Sequence, residues 1–169
     1  MKKLRFIFGL SLLWCCLFSV TQARAQQHGV GIRVGGLSSG ISGKYFLNGS
    51  AAIEAIIGTS FGRKGFHLTG LYELHASALG VPGLQWFYGA GAHIGSYKGR
   101  YYHDRTYKHY YDSANKTLAT VGIDGIVGLE YQITEIPVSV GIDFKPFLDV
   151  NQDGLFLFPD GALTVRYTF

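Results

Sequence analysis

Beyond its first 25 residues this chain lacks cysteine, net charge and any long apolar run, and each absence removes a class of protein. Cys15 and Cys16 both lie in the apolar stretch Phe6–Val20, which follows the basic start Met1-Lys2-Lys3-Leu4-Arg5 and precedes the small-x-small triplet Ala23-Arg24-Ala25. That pattern predicts a secretory signal peptide over residues 1–25, cleaved after Ala25; the run is too short for a comfortable spanning helix. Bulky Trp14 stands where a lipoprotein acylation site wants a small residue, so no lipidation is expected at Cys15. Residues 26–169 then carry no disulfide framework. Lys2, Lys3, Arg5 and Arg24 account for the whole formal charge of +4, and acidic and basic residues balance in the rest. Nucleic acid is therefore not an expected partner. Nothing resembles an interdomain linker, so residues 26–169 read as one domain.

No long segment of residues 26–169 has helical periodicity. Alternation with a period of two dominates instead and predicts an all-β protein of eight strands: Gly29–Gly36, Gly40–Leu47, Ala51–Gly58, Gly65–Ala76, Leu84–Gly95, Leu118–Tyr131, Glu135–Pro146 and Gly161–Phe169. The links Asn48–Ser50, Ser77–Gly83 and Gln132–Thr134 are short. Two links of the other set, Ser96–Thr117 and Phe147–Asp160, are long. Short turns at one rim and long loops at the other is the pattern of an up-and-down transmembrane barrel with both termini at the short-turn rim. An even number of strands closes the sheet and leaves no edge, as a bilayer requires.

Parity separates two faces. One is apolar and uncharged, from Val30, Ile32 and Val34 through Ile123 and Val127 to Leu163 and Val165. Its aromatic members Tyr45, Tyr72, Trp86, Tyr131, Tyr167 and Phe169 fall toward the short-turn rim, where a girdle at lipid headgroups belongs. The other face collects Arg33, Lys44, Lys145 and Arg166 with Glu54, Glu73, Asp124, Glu130 and Asp143, and with His67, His75 and His93. In a barrel this narrow these charges are expected to pair with one another as a polar plug, because eight strands enclose room for side chains and no channel.

Several stretches are similar to the small outer-membrane β-barrel proteins of Bacteroidota, themselves related in architecture to the transmembrane domain of outer-membrane protein A. They are Gly43–Leu47, Gly70–Glu73, Tyr88–Gly95, Gly122–Tyr131, Pro137–Pro146 and Val165–Phe169, and the resemblance covers nearly all of residues 26–169. It implies an integral outer-membrane barrel. One position departs from the group: Thr164 stands where the carboxy-terminal assembly signal usually has glycine, while the terminal alternation and Phe169 match. Recognition by the barrel-insertion machinery is the expectation.

Three constellations could carry chemistry. Asp149, Asn151, Asp153, Gly154 and Asp160 match positions 1, 3, 5, 6 and 12 of a calcium loop, where oxygens converge round a glycine turn. Position 12 is Asp where such loops use Glu, and an Asx-rich surface turn explains the same residues. Glu73, His75 and Ser77 share one face of a strand, the set a deacylase-like hydrolase would use, yet parity turns them away from lipid and toward the lumen charges. Finally, Tyr97, Arg100, Tyr101, Tyr102, Arg105, Tyr107, Lys108, Tyr110 and Tyr111 form an aromatic, basic loop suited to stacking on sugars and pairing with phosphates, as on lipopolysaccharide or another glycan. Packing of those tyrosines against one another explains them equally well.

The function these residues predict is non-enzymatic: a monomeric structural barrel in the outer membrane, without cofactor, presenting its tyrosine-rich loop to lipopolysaccharide or another surface ligand. An outer-membrane lipid-modifying enzyme and a soluble, lipocalin-like binder are the alternatives.

Overall fold

The structure is a computed structural model, and it describes residues 28–59, 65–98, 117–152 and 154–169. The expected signal peptide lies outside the described residues. Ten strand segments form: β1 (His28–Gly35), β2 (Ser39–Phe46), β3 (Ala51–Thr59), β4 (Gly65–Ser77), β5 (Leu84–Lys98), β6 (Thr117–Ile133), β7 (Val138–Phe144), β8 (Phe147–Asn151), β9 (Gly154–Phe158) and β10 (Gly161–Thr168). Each of the first six pairs antiparallel with the next, and β10 lies between β7 and β1 and closes the circle.

The ten segments make eight staves. β7 and β8 run along β6 in one register, with Phe144 opposite Val127 and Phe147 opposite Asp124. β9 and β10 continue one another in the same way, Phe158 opposite Phe147 and Gly161 opposite Phe144. The interruptions fall at Lys145-Pro146 and Pro159-Asp160, because proline has no N–H to give the ladder. Pairing still crosses the gap: the Gly125 N–H donates to the Pro146 carbonyl at 2.9 Å, and the Lys145 N–H to that of Asp160 at 2.8 Å. The result is an eight-stranded antiparallel closed β-barrel.

One expectation is corrected. Phe147–Asp160 is no long loop; it is the β8–β9 hairpin, which prolongs the last two staves. Pro146 just before it, Pro159 near its end and a cluster of Asx residues punctuate it like a loop, but its partner is the upper half of β6, more than twenty residues back along the chain.

Tracing neighbours round the wall from Val165 through Ile32, Ile41, Ile57, Leu68, Ile94, Val121 and Val150 ends at Leu155, ten residues from the start on the same stave. A stagger of that size inclines the strands by about 40°, and the small number of staves keeps the bore narrow. The wall is uneven: β4, β5 and β6 have 13, 15 and 17 residues, against 8, 8 and 9 in β1, β2 and β3. At the β4–β5 turn Leu79, Gly80 and Gly83 all take positive φ, which Leu79 adopts at a steric cost and the glycines without one.

Among the described residues every charged side chain is buried inside the barrel except Lys98, the last residue of β5, and Glu135, in the β6–β7 turn. Outside, the same strands expose Ile32, Ile41, Ile123 and Leu163 at more than 60% of their surface. Trp86 and Tyr88 stack on this outer wall with ring centres 5.2 Å apart.

Candidate functional site

Interior positions recur at every second residue, so the lumen is built from one parity class of all eight staves. Its ionic groups fall into two clusters. Nearer the short turns, the Lys44 ammonium lies 3.2 Å from Glu54, 2.8 Å from Glu73 and 2.9 Å from Glu130, and 4.4 Å above the centre of the Phe87 ring. Arg166 reaches Glu54 at 2.5 Å and Glu130 at 3.2 Å, and its Nε donates to Ser42 Oγ at 3.0 Å. Ser42 and Ser139 each donate a 2.7 Å hydrogen bond to Glu54 and Glu130 respectively.

Farther from those turns, Arg33 donates from Nη2 to Asp143 at 2.5 Å and from Nη1 to Asp160 at 3.2 Å, and it also bonds Ser38. Asp160 accepts in addition from the Leu37 N–H at 2.9 Å, which ties the eighth stave to the β1–β2 turn. Beside this group Lys145 contacts Asp124 at 2.5 Å. His93 is clamped between carboxylates, Nδ1 at 2.7 Å from Asp124 and Nε2 at 2.6 Å from Asp149, an arrangement that a doubly protonated ring satisfies on both sides. Gly122 leaves the space for that ring, since a Cβ there would stand 2.8 Å from His93 Nε2.

Between the clusters Ile56, Leu71, Phe87 and Ile126 pack together. Above the second cluster Tyr97 and Leu118 are covered by Phe156 and Phe158 of the hairpin. Parity alone does not reveal these apolar layers, because an apolar residue on the inner face looks like noise in the alternation.

All nine charged residues assigned to the lumen from the sequence lie inside it, and the structure adds Asp149 and Asp160. In this placement two members of the candidate calcium loop are engaged elsewhere. Asp149 is on β8 and engaged with His93; Asp160 lies beyond β9 and is engaged with Arg33. Asp149 faces Phe156 across the hairpin, four residues short of Asp160, so about 13 Å of strand separates the two backbone positions. Asn151 ends β8, and Asp153 lies outside the described residues. Among the described residues no group of three or more His, Cys, Asp or Glu converges as a metal site.

The Glu73–His75–Ser77 set is not brought together as a catalytic unit. His75 Nε2 is 3.2 Å from Glu73, its Nδ1 has no hydrogen-bond partner, and Ser77 is exposed at the end of β4. A nucleophile needs its base within hydrogen-bond reach. His75 is instead packed between Phe46 and Phe87, with ring centres 4.9 and 5.2 Å away. Of the tyrosine-rich loop, Tyr97 is corrected to an inward, buried position at the end of β5. Arg100, Tyr101, Tyr102, Arg105, Tyr107, Lys108, Tyr110 and Tyr111 lie outside the described residues.

His67 is 2% exposed and neither ring nitrogen has a partner; the hydroxyls of Thr69 and Thr120 nearby are unpartnered too. Gly58 and Gly95 flank His67 on the neighbouring strands. Leaving buried polar groups unpaired costs about 1–3 kcal/mol. The substitution His67→Phe keeps a ring of similar size without that cost, and it is expected to raise the unfolding free energy by about that amount in a denaturant titration. A loss of stability would show that His67 holds a partner such as bound water.

Comparison with protein-family models and with curated proteins finds no match to this chain.

Proposed function

We propose that this protein is an integral, non-enzymatic β-barrel of the outer membrane, exported with a cleaved signal peptide and related to the small barrels of Bacteroidota. It acts as a structural and surface-presenting element. The observation that carries this reading is the inversion of the usual distribution of residues: charges fill the inside, and large apolar side chains cover the outside of a closed sheet. Exposed apolar surface on that scale is a liability in water and an asset in hydrocarbon. Closure of β10 onto β1 gives every strand of the ring β1–β7 and β10 a partner on both sides, and lipid does not tolerate a free edge. The lumen supports a plug: its carboxylates are bonded to lysine, arginine and histidine, and apolar layers separate the clusters. In this reading the outer-membrane lipids and lipopolysaccharide surround the wall, the barrel-insertion machinery places it there, and the segment between β5 and β6 is presented outward for a glycan or other surface ligand.

Cells expressing the full precursor test the proposal through the gel mobility of their outer-membrane fraction. The expected result is a compact, fast band without heating that slows after boiling and is found in that fraction. A heat-insensitive protein in the soluble periplasm would overturn the membrane reading and favour a lipocalin-like binder.

A further inference from the structure

The lumen opens at the short-turn rim into a cavity of about 230 Å³. We propose that this vestibule binds a small, neutral, polyhydroxylated molecule the size of a monosaccharide. The inference stands whether the outer wall faces lipid or water, so it fails or holds independently of the location proposed above.

Size comes first. The volume is that of roughly seven or eight water molecules at about 30 Å³ each, and it falls below the 300–1,000 Å³ typical of drug-sized ligands. Charge comes next. Lys44, Glu130 and Arg166 form the floor, and their charges are already engaged. Lys44 and Arg166 are both held by glutamates, so an anion would have to displace a carboxylate. Glu130 accepts from Ser139 on one oxygen and from Lys44 on the other, with Arg166 3.2 Å from that second oxygen, so a cation finds no open carboxylate. A neutral guest breaks none of these pairs.

The walls then select the kind of neutral guest. The Gln85 side chain makes no hydrogen bond to another described residue. Asn48 spends its carbonyl oxygen on the N–H groups of Ser50 and Ala51, at 2.9 and 2.8 Å, which leaves its amide hydrogens free to donate. Gln132 spends its amide hydrogens on the Val138 carbonyl and Thr168 Oγ1, both at 3.2 Å, which leaves its carbonyl oxygen free to accept. Donors and acceptors therefore alternate round one small space, and a hydroxyl is the group that satisfies both. Phe46 adds an aromatic wall against which the C–H face of a sugar ring can rest.

The test is a titration of D-glucose into the protein refolded in amine-oxide micelles, which bring no sugar headgroup of their own. Side-chain amide NMR signals of Gln85 and Gln132 report binding. The expected result is saturable shifts with a dissociation constant on the order of 1 mM. Gln85→Leu, which removes a side chain outside the ionic network, is expected to weaken binding about tenfold. Gly49→Leu should abolish it sterically, since Gly49 lines the mouth and a Cβ there meets open space. Both variants must keep the heat-dependent gel shift of a folded barrel. Absence of saturation by glucose would overturn the proposal, as would undiminished binding to folded Gly49→Leu. Saturation by acetate or putrescine in place of glucose would overturn it as well, by assigning the vestibule to a charged guest.

Discussion

Lys44→Met is expected to lower the unfolding free energy of the barrel by about 3–5 kcal/mol. The ammonium of Lys44 stands within 3.2 Å of three glutamates whose side chains are almost wholly buried. Methionine fills a similar volume and can still lie over Phe87, so packing is largely kept and the charge is what disappears. Arg166 remains near Glu54 and Glu130, but Glu73 is left with His75 alone among the contacts described above. The cost is therefore that of stranding a buried carboxylate, which exceeds the net value of the ion pair itself. Glu73→Gln in the same molecule is expected to restore a substantial part of the loss, because it removes the stranded charge. Denaturant titration in micelles, read as the fraction of compact band, measures all three proteins. If Lys44→Met unfolds like the parent, the interior is hydrated and the lumen is no plug.

Ile123→Arg carries the second large effect and reports on the opposite face. Ile123 is 62% exposed near the middle of β6, with Val121 and Val127 on the same side. In a bilayer an arginine near the midplane of a barrel wall costs about 2–4 kcal/mol. In water the same substitution at so exposed a site changes stability by no more than about 0.5 kcal/mol. Folding into lipid vesicles, followed by the gel shift, is expected to drop sharply for Ile123→Arg and hardly at all for a substitution at exposed Glu135 in the β6–β7 turn. Equal behaviour of the two would remove the argument for lipid around the wall.

Much of this was legible before any coordinates. Alternation along Leu118–Tyr131 assigned Val121, Ile123 and Val127 to one face and Asp124 and Glu130 to the other, because strand parity is a local property of the chain. The candidate plug was legible for the same reason: Arg33, Lys44, Glu73 and Arg166 share the inner parity class on four separate staves. Partner choice was not. Lys44 meets Glu54 across adjacent strands, but it meets Glu130 across the bore, and nothing in sequence spacing encodes a diameter or a stagger. Asp149 and Asp160 illustrate the failure best. Their spacing fits a cation loop, while the structure gives one to His93 and the other to Arg33. In the sequence the alternation ends at Gly95, which puts Tyr97 at the start of a loop, whereas β5 continues to Lys98 and turns Tyr97 inward.

The sequence by itself therefore determined the class of fold: period-two alternation with balanced turns makes an even set of two-faced strands, and such strands must bury one face and close their edges. Only the tertiary structure decided which charge meets which, that Phe147–Asp160 prolongs the wall as a hairpin, and that apolar layers divide the lumen. The physical reason is range. Face and period are set between residues two apart, whereas ion pairing and hairpin docking depend on a ten-residue stagger that the chain acquires only when its last stave meets its first.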